Sequence, residues 1–154
     1  MPQGTRGLLS IVACAAAGAI AVSAAVSAQA VGPLWFDVTS EAIPATAYWT
    51  NKVEIADLNG DGRPDLLFAN GGDYSTPGTP EPNQVFMHTG AGFRFAEATA
   101  AVFGSTPDLA RVIKARDVNG DGLVDVFVGT TYQTPSRLYL GTGKGAFREV
   151  TATH

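Results

Sequence analysis

The sequence has one cysteine, Cys14, and two histidines, His88 and His154, among 154 residues. A lone cysteine forms no internal disulfide, so stability outside the cell has to come from packing or from a bound metal. The few nucleophiles and bases also argue against catalysis. A Ser75, His88 and Asp73 constellation can be composed on paper, but no nucleophile motif accompanies it. Charge is sparse as well, at 16% of residues, with ten bases against fourteen acids and an isoelectric point near 5.0. With no basic run, the chain has no means of neutralising phosphates, which excludes a nucleic-acid binder. No segment holds a helical period, which excludes a coiled coil or a long bundle. Eighteen glycines and nine prolines punctuate short apolar runs instead, as suits one small globular domain.

One long apolar run stands apart from this pattern. After a single early cation, Arg6, an Ala-rich stretch runs from Leu8 to Val26 and ends Ser27-Ala28-Gln29-Ala30. That is the layout of a secretory signal peptide with a small-residue cleavage site after Ala30. A retained membrane anchor is the alternative, since the run is about long enough to cross a bilayer. Lipidation at Cys14 is another, because Ile11-Val12-Ala13-Cys14 resembles a bacterial lipobox. Removing the first thirty residues, Arg6 among them, leaves 124 residues, no cysteine, nine bases and fourteen acids, a formal charge of −5. The expected location is secreted, periplasmic or cell-surface.

The remainder is a repeat. Asp57-Leu58-Asn59-Gly60-Asp61-Gly62-Arg63-Pro64-Asp65 recurs sixty residues later as Asp117-Val118-Asn119-Gly120-Asp121-Gly122-Leu123-Val124-Asp125, with six of nine positions identical. Val85-Phe86-Met87 is echoed by Leu138-Tyr139-Leu140, and Phe95 to Thr99 by Phe147 to Thr151. Trp35 to Thr39 looks like a third copy of that last element, which predicts a spare strand before the first repeat. Within each repeat, four β-branched or aromatic segments separated by Gly, Pro or Asn read as strands. They fall at Val53–Ala56, Leu66–Ala69, Val85–His88 and Phe95–Thr99, then at Val112–Arg116, Val126–Gly129, Leu138–Leu140 and Phe147–Thr151. Four antiparallel strands per unit describe a propeller blade. The expected fold is therefore all-β: two four-stranded blades of an incomplete β-propeller behind a signal peptide. The boundaries are 1–30 for the signal peptide, 31–52 for the lead-in, 53–101 for the first blade and 102–154 for the second.

The acidic loops have the spacing of a calcium site. In an oxygen-ligand loop, side chains at positions 1, 3 and 5 and a carbonyl at position 7 wrap the ion, and glycine at position 6 permits the turn. Asp57, Asn59 and Asp61, the carbonyl of Arg63 and Gly62 fill those positions, and Asp117, Asn119, Asp121, Leu123 and Gly122 repeat them. Gly60 and Gly120 sit at position 4, and Asp65 and Asp125 close each loop at position 9. Six of the fourteen acids lie in these loops, so their mutual repulsion would strain an empty site and a divalent ion would relieve it. A hydrated hairpin that binds nothing is the alternative, against which stands the duplication of every ligand position. An EF-hand is excluded because its position 12 is a bidentate Glu, where this chain has Phe68 and Val128.

These loops, the strands that follow them (Asp65-Leu66-Leu67-Phe68 and Asp125-Val126-Phe127-Val128) and the Phe-x-Glu-x-Thr endings resemble FG-GAP or VCBS repeats. The likeness extends to the ASPIC/UnbV and cartilage-acidic-protein group, whose opening is similar to Trp35 to Ala42. The resemblance implies blades of an integrin-α-like β-propeller with calcium in the loops, but the Phe-Gly and Gly-Ala-Pro signature of integrin repeats is absent. Closed propellers have about four to eight blades, and two are legible here. The chain is then a fragment of a longer product, an open pair of sheets, or a protomer of a ring built by heterologous contacts. The expected function is an exported calcium-binding scaffold for a protein or carbohydrate ligand, with no enzymatic activity. A lectin-like protomer that oligomerises and a metal-dependent hydrolase are the alternatives. The best candidate for contact is the loop from Asn70 to Gln84, with Asp73 and Tyr74, because ligand contacts concentrate on loops; a solvated connector is the alternative.

Overall fold

The computed structural model describes residues 32–151. The expected signal peptide, with Cys14 and the Ala30 cleavage point, lies outside the described residues, as does His154. The chain divides into two units, Met1–Leu34 and Trp35–His154. Of the first, only 32–34 are described, without regular structure; every strand among the described residues belongs to the second. Among the described residues no helix is long and apolar enough to cross a membrane.

Each acidic loop reverses the chain between two strands. Strand β1 (Thr50–Ala56) pairs antiparallel with β2 (Asp65–Asn70), Ala56 opposite Asp65, and β3 (Gln84–His88) and β4 (Phe95–Glu97) complete the sheet in sequence order. Strands β5 (Ala110–Arg116), β6 (Asp125–Thr130), β7 (Arg137–Gly143) and β8 (Ala146–Glu149) repeat it. The fold is thus all-β, built of two four-stranded antiparallel sheets consistent with propeller blades. The last strand of each sheet ends earlier than expected. Thr99 and Thr151 have left the ladder, and their hydroxyls accept the amides of Val85 and Leu138, both at 3.1 Å. The recurring threonine is therefore a hook onto the neighbouring strand.

Two segments differ from expectation. Residues 35–38 form no strand; they lead into one helical turn, α1 (Thr39–Ala42), started by Asp37, whose carboxylate accepts the Thr39 amide at 2.9 Å. Trp35 and Phe36 are exposed, and a strand with no neighbour to pair with has nothing to hold it extended. Between the repeats lies a second short helix, α2 (Thr99–Phe103), across the expected 101/102 blade boundary. Five residues are too few to display a period, yet α2 buries Val102 and Phe103.

The core is the seam between the sheets. Strand side chains alternate faces, and the Leu67, Ala69 and Val85 side of the first sheet meets the Ile113, Val126 and Val128 side of the second, all of them fully buried. Full burial of each large aliphatic side chain contributes about 1.5–3 kcal/mol. From α2, Phe103 closes the seam edge-on to Tyr139 at 5.1 Å. Burial first, then the nearby Glu149 carboxylate, pushes the Tyr139 phenol from 10.0 up to about 12. A raised folded pKa means the neutral form stabilises the fold fully below about pH 10, and that contribution is lost as pH rises toward 12. Alkaline unfolding is expected in that window when followed by circular dichroism, and Tyr139→Phe is expected to remain folded further into it.

Near one end the sheets are laced by polar groups. Both inner strands carry a bulge, between Thr50 and Lys52 and between Ala110 and Val112, and a bulge re-aims the extra side chain. Asn51 thereby donates to the carbonyls of Gly71 (2.9 Å) and Ala110 (2.8 Å), while Arg111 donates to Asn51 at 2.7 Å. Gly71, at φ 108°, has no room for a side chain, because a Cβ there would collide with the Asp108 carbonyl.

Candidate functional site

The antiparallel order places both acidic loops at one end of the sheets and the loop after β2 at the other. In the first acidic loop, the Asp57 carboxylate accepts the amides of Gly60, Asp61 and Gly62 at 2.8, 3.1 and 2.7 Å. Asn59 Oδ1 takes the Asp61 amide and Asp61 Oδ1 the Arg63 amide, each at 2.9 Å. The second loop matches it. Asp117 accepts Gly120 and Gly122 at 2.7 and 2.9 Å, Asn119 accepts Asp121 at 2.9 Å, and Asp121 accepts Leu123 at 2.8 Å. Gly60, Gly62, Gly120 and Gly122 all lie at φ between 77° and 84°, a region that costs other residues strain. The Asp57 and Asp117 carboxyls sit below the ordinary carboxylate range, chiefly through the Gly62 and Gly122 amides respectively. Both are held ionised.

Asp65 and Asp125 are placed differently. They are buried at the foot of each loop, and each spends one oxygen on its own loop and one on the third strand. Asp65 accepts Leu58 at 2.9 Å and His88 at 2.8 Å; Asp125 accepts Val118 at 2.9 Å and Gly141 at 2.8 Å. A carboxylate offers about four lone-pair sites, so each retains acceptor capacity. Their visible work is to fasten the loop to the sheet. Among the described residues, no three Asp, Glu, His or Cys side chains converge to form a metal cluster. The fit to an ion rests instead on the mixed set at positions 1, 3 and 5, which is oxygen-only, as a hard cation requires.

The two loops differ at position 7. Arg63 turns its guanidinium onto Asp61 at 2.7 Å, whereas Leu123 offers no charge and Asp121 takes the Asn119 amide group at 2.9 Å. Between the loops lies a cleft of about 80 Å³, bordered by Asp57, Asn59, Gly122, Leu123 and Lys144.

At the opposite end, the loop from Gly71 to Asn83 is a strap. Asp73 is capped by the Ser75 and Thr76 amides at 2.7 and 2.6 Å, and Glu81 exchanges two backbone hydrogen bonds with Asp108 ahead of the second sheet, at 3.0 and 2.9 Å. Tyr74 is exposed, edge-on to Trp49 at 6.4 Å, beneath the Arg111 guanidinium at 5.3 Å, and its carbonyl accepts from the Tyr132 hydroxyl at 3.3 Å. Trp49 borders a hollow with Asp73, Thr79 and Glu81. The Ser75, His88 and Asp73 constellation does not assemble. Ser75 and Asp73 sit in this strap, while His88 ends β3 at the other end of the sheet, its Nδ1 accepting the Gly90 amide at 2.9 Å.

Sequence reasoning missed the buried polar group beneath the strap. Asp108 is 1% exposed; it accepts from Asn83 at 3.2 Å and from Arg137 Nε at 3.0 Å, and Arg137 reaches on to Glu149 at 3.0 Å. The Arg137 guanidinium is desolvated, which favours its neutral form, but the Asp108 hydrogen bond and charge outweigh this and raise its pKa. Asp108 has no counterpart in the repeat, since Tyr48 stands sixty residues earlier, so self-similarity gave no signal there.

A family model described as an FG-GAP-like repeat matches residues 57–128 and again 117–154, each match opening on the first aspartate of an acidic loop. The chain belongs to the FG-GAP-like repeat family. Comparison with curated proteins finds no match. FG-GAP-like repeats are typically non-catalytic and suggest a β-propeller-like scaffold for binding or adhesion. The two sheets seen here are blades of that kind.

Proposed function

We propose that the mature chain is an exported, calcium-stabilised FG-GAP repeat module that binds a protein or carbohydrate ligand and has no catalytic site of its own. The observation that carries this reading is the duplicated arrangement at positions 1, 3 and 5, with an ionised aspartate at position 1 of each loop. Calcium would be held by Asp57, Asn59, Asp61 and the Arg63 carbonyl in one loop, and by Asp117, Asn119, Asp121 and the Leu123 carbonyl in the other. Asp65 and Asp125 stand at the foot of each. The ion supplies charge neutralisation at a turn that otherwise crowds carboxylates. Ligand contact is assigned to the opposite end, where exposed Tyr74 and Trp49 stand beside Asp73 and Glu81.

The test is thermal melting of the secreted protein in chelator and in calcium. Extracellular calcium modules have dissociation constants on the order of 0.1–1 mM, and a site saturated a hundredfold adds about 2.7 kcal/mol. For a domain of this size that raises the midpoint by roughly 5–15 °C. A midpoint indifferent to chelator removes the calcium reading. Asp121→Asn is expected to reduce the calcium-induced shift more than Asp61→Asn, because Arg63 already offsets Asp61 in the first loop. The intact mass of the secreted protein tests export: it is expected to begin at Val31.

A further inference from the structure

We propose that the Asn59-Gly60 step is a spontaneous modification site, where the Asn59 carboxamide is lost as ammonia and the first acidic loop is remodelled ahead of the second. The sequence contains three Asn-Gly steps, beginning at Asn59, Asn70 and Asn119. Glycine lacks a Cβ, so its amide nitrogen is the least hindered of any residue's for attack on the preceding asparagine side chain. In that reaction the Gly60 nitrogen gives its proton to hydroxide and bonds to Asn59 Cγ. The Cγ–Nδ2 bond breaks, and with a proton from water the nitrogen departs as ammonia. Water then opens the cyclic imide at either carbonyl, leaving aspartate or isoaspartate at position 59. The balance is one water in and one ammonia out.

What separates the three steps is how firmly each carboxamide is held. Asn70 is fully buried; its Oδ1 accepts the Thr50 hydroxyl at 2.8 Å, and its Nδ2 donates to the Pro82 carbonyl at 2.9 Å and to Gln84 at 3.3 Å. It has no freedom to turn toward Gly71. Asn119 is exposed but tied at both ends, Oδ1 accepting the Asp121 amide and Nδ2 donating to Asp121 Oδ2, each at 2.9 Å. Asn59 is tied at one end only, by the Asp61 amide at 2.9 Å. Its Nδ2 has no partner among the described residues, because the Arg63 guanidinium has taken Asp61 Oδ2 at 2.7 Å. Gly60 is exposed, so hydroxide and water reach the reacting atoms.

Exposure alone would rank Asn119 ahead of half-buried Asn59. The residue at position 7 reverses that order, since one more hydrogen bond on the carboxamide slows its turning by roughly two- to tenfold. An isoaspartate adds a methylene to the backbone between positions 3 and 4, which spoils the spacing by which Asp57 reaches the Gly60 and Gly62 amides. The first loop is thus the one that ages.

The test is peptide mapping by mass spectrometry of the secreted protein, stored in chelator in mildly alkaline buffer so that the loops stay free of ions. Replacement of NH by O is expected at position 59 roughly two- to tenfold faster than at 119, and not at 70. Arg63→Leu frees Asp61 for the Asn59 carboxamide and is expected to slow conversion at 59 to the rate at 119. Leu123→Arg is expected to speed conversion at 119, and both substitutions replace side chains outside the core. No conversion at 59, conversion at 119 first, or rates indifferent to both substitutions at position 7 overturn the proposal.

Discussion

Asp65→Ala and Asp125→Ala are each expected to destabilise the fold by about 3–6 kcal/mol, because each removes two hydrogen bonds to a buried charged acceptor, worth about 1.5–3 kcal/mol apiece. Two amides lose their partners in each case: Leu58 and His88 for Asp65, Val118 and Gly141 for Asp125. The effect is expected in chelator as well as in calcium, which separates it from ion ligation. Asp61→Asn and Asp121→Asn, by contrast, are expected to matter mainly when calcium is present. Asn at 65 or 125 offers one acceptor oxygen and recovers at most one of the two bonds. Urea unfolding of the variants in chelator is the measurement, and an unchanged midpoint for Asp65→Ala would mean that the loop is not fastened to the sheet in this way.

Asp108→Ala is expected to cost about 3 kcal/mol, the low end of the range for breaking a buried ion pair. Arg137, with 18% of its side chain exposed, is left with only Glu149, itself 42% exposed, and the Asn83 amide group loses its acceptor. Most of that cost is the stranded guanidinium, not the worth of the pair. The double variant Asp108→Ala with Arg137→Met is therefore expected to recover a substantial part of the loss. A cycle in which the two single losses simply add would show that the residues do not act as a pair.

Much of the architecture is legible in the residues alone because it is local. The acidic loops are turns whose acceptors and donors lie within five residues, from Asp57 to Gly62 and from Asp117 to Gly122, so motif spacing reads them directly. Strand order follows from the same repeat, since short connections between β-branched segments leave antiparallel neighbours as the available pairing. The Trp35 to Thr39 segment misled because its likeness to a strand supplies no partner to bond with, and an aspartate two residues before an amide starts a turn instead.

What the tertiary structure decided depends on residues far apart in the chain. Alternation shows that each strand has two faces but not which one meets the other blade, and Leu67 and Phe127 take opposite fates at equivalent positions because, among the described residues, a second sheet packs on the Leu67 face and none on the Phe127 face. Position 9 of each loop reads as another ligand in sequence, and only the tertiary structure adds that the third strand presents an amide there, which takes one oxygen of Asp65 and of Asp125. The strap's tie to Asp108 and Arg137 spans separations of 25 and 29 residues with no repeat to announce it. Burial set by long-range packing, not by any local pattern, determines what those side chains do.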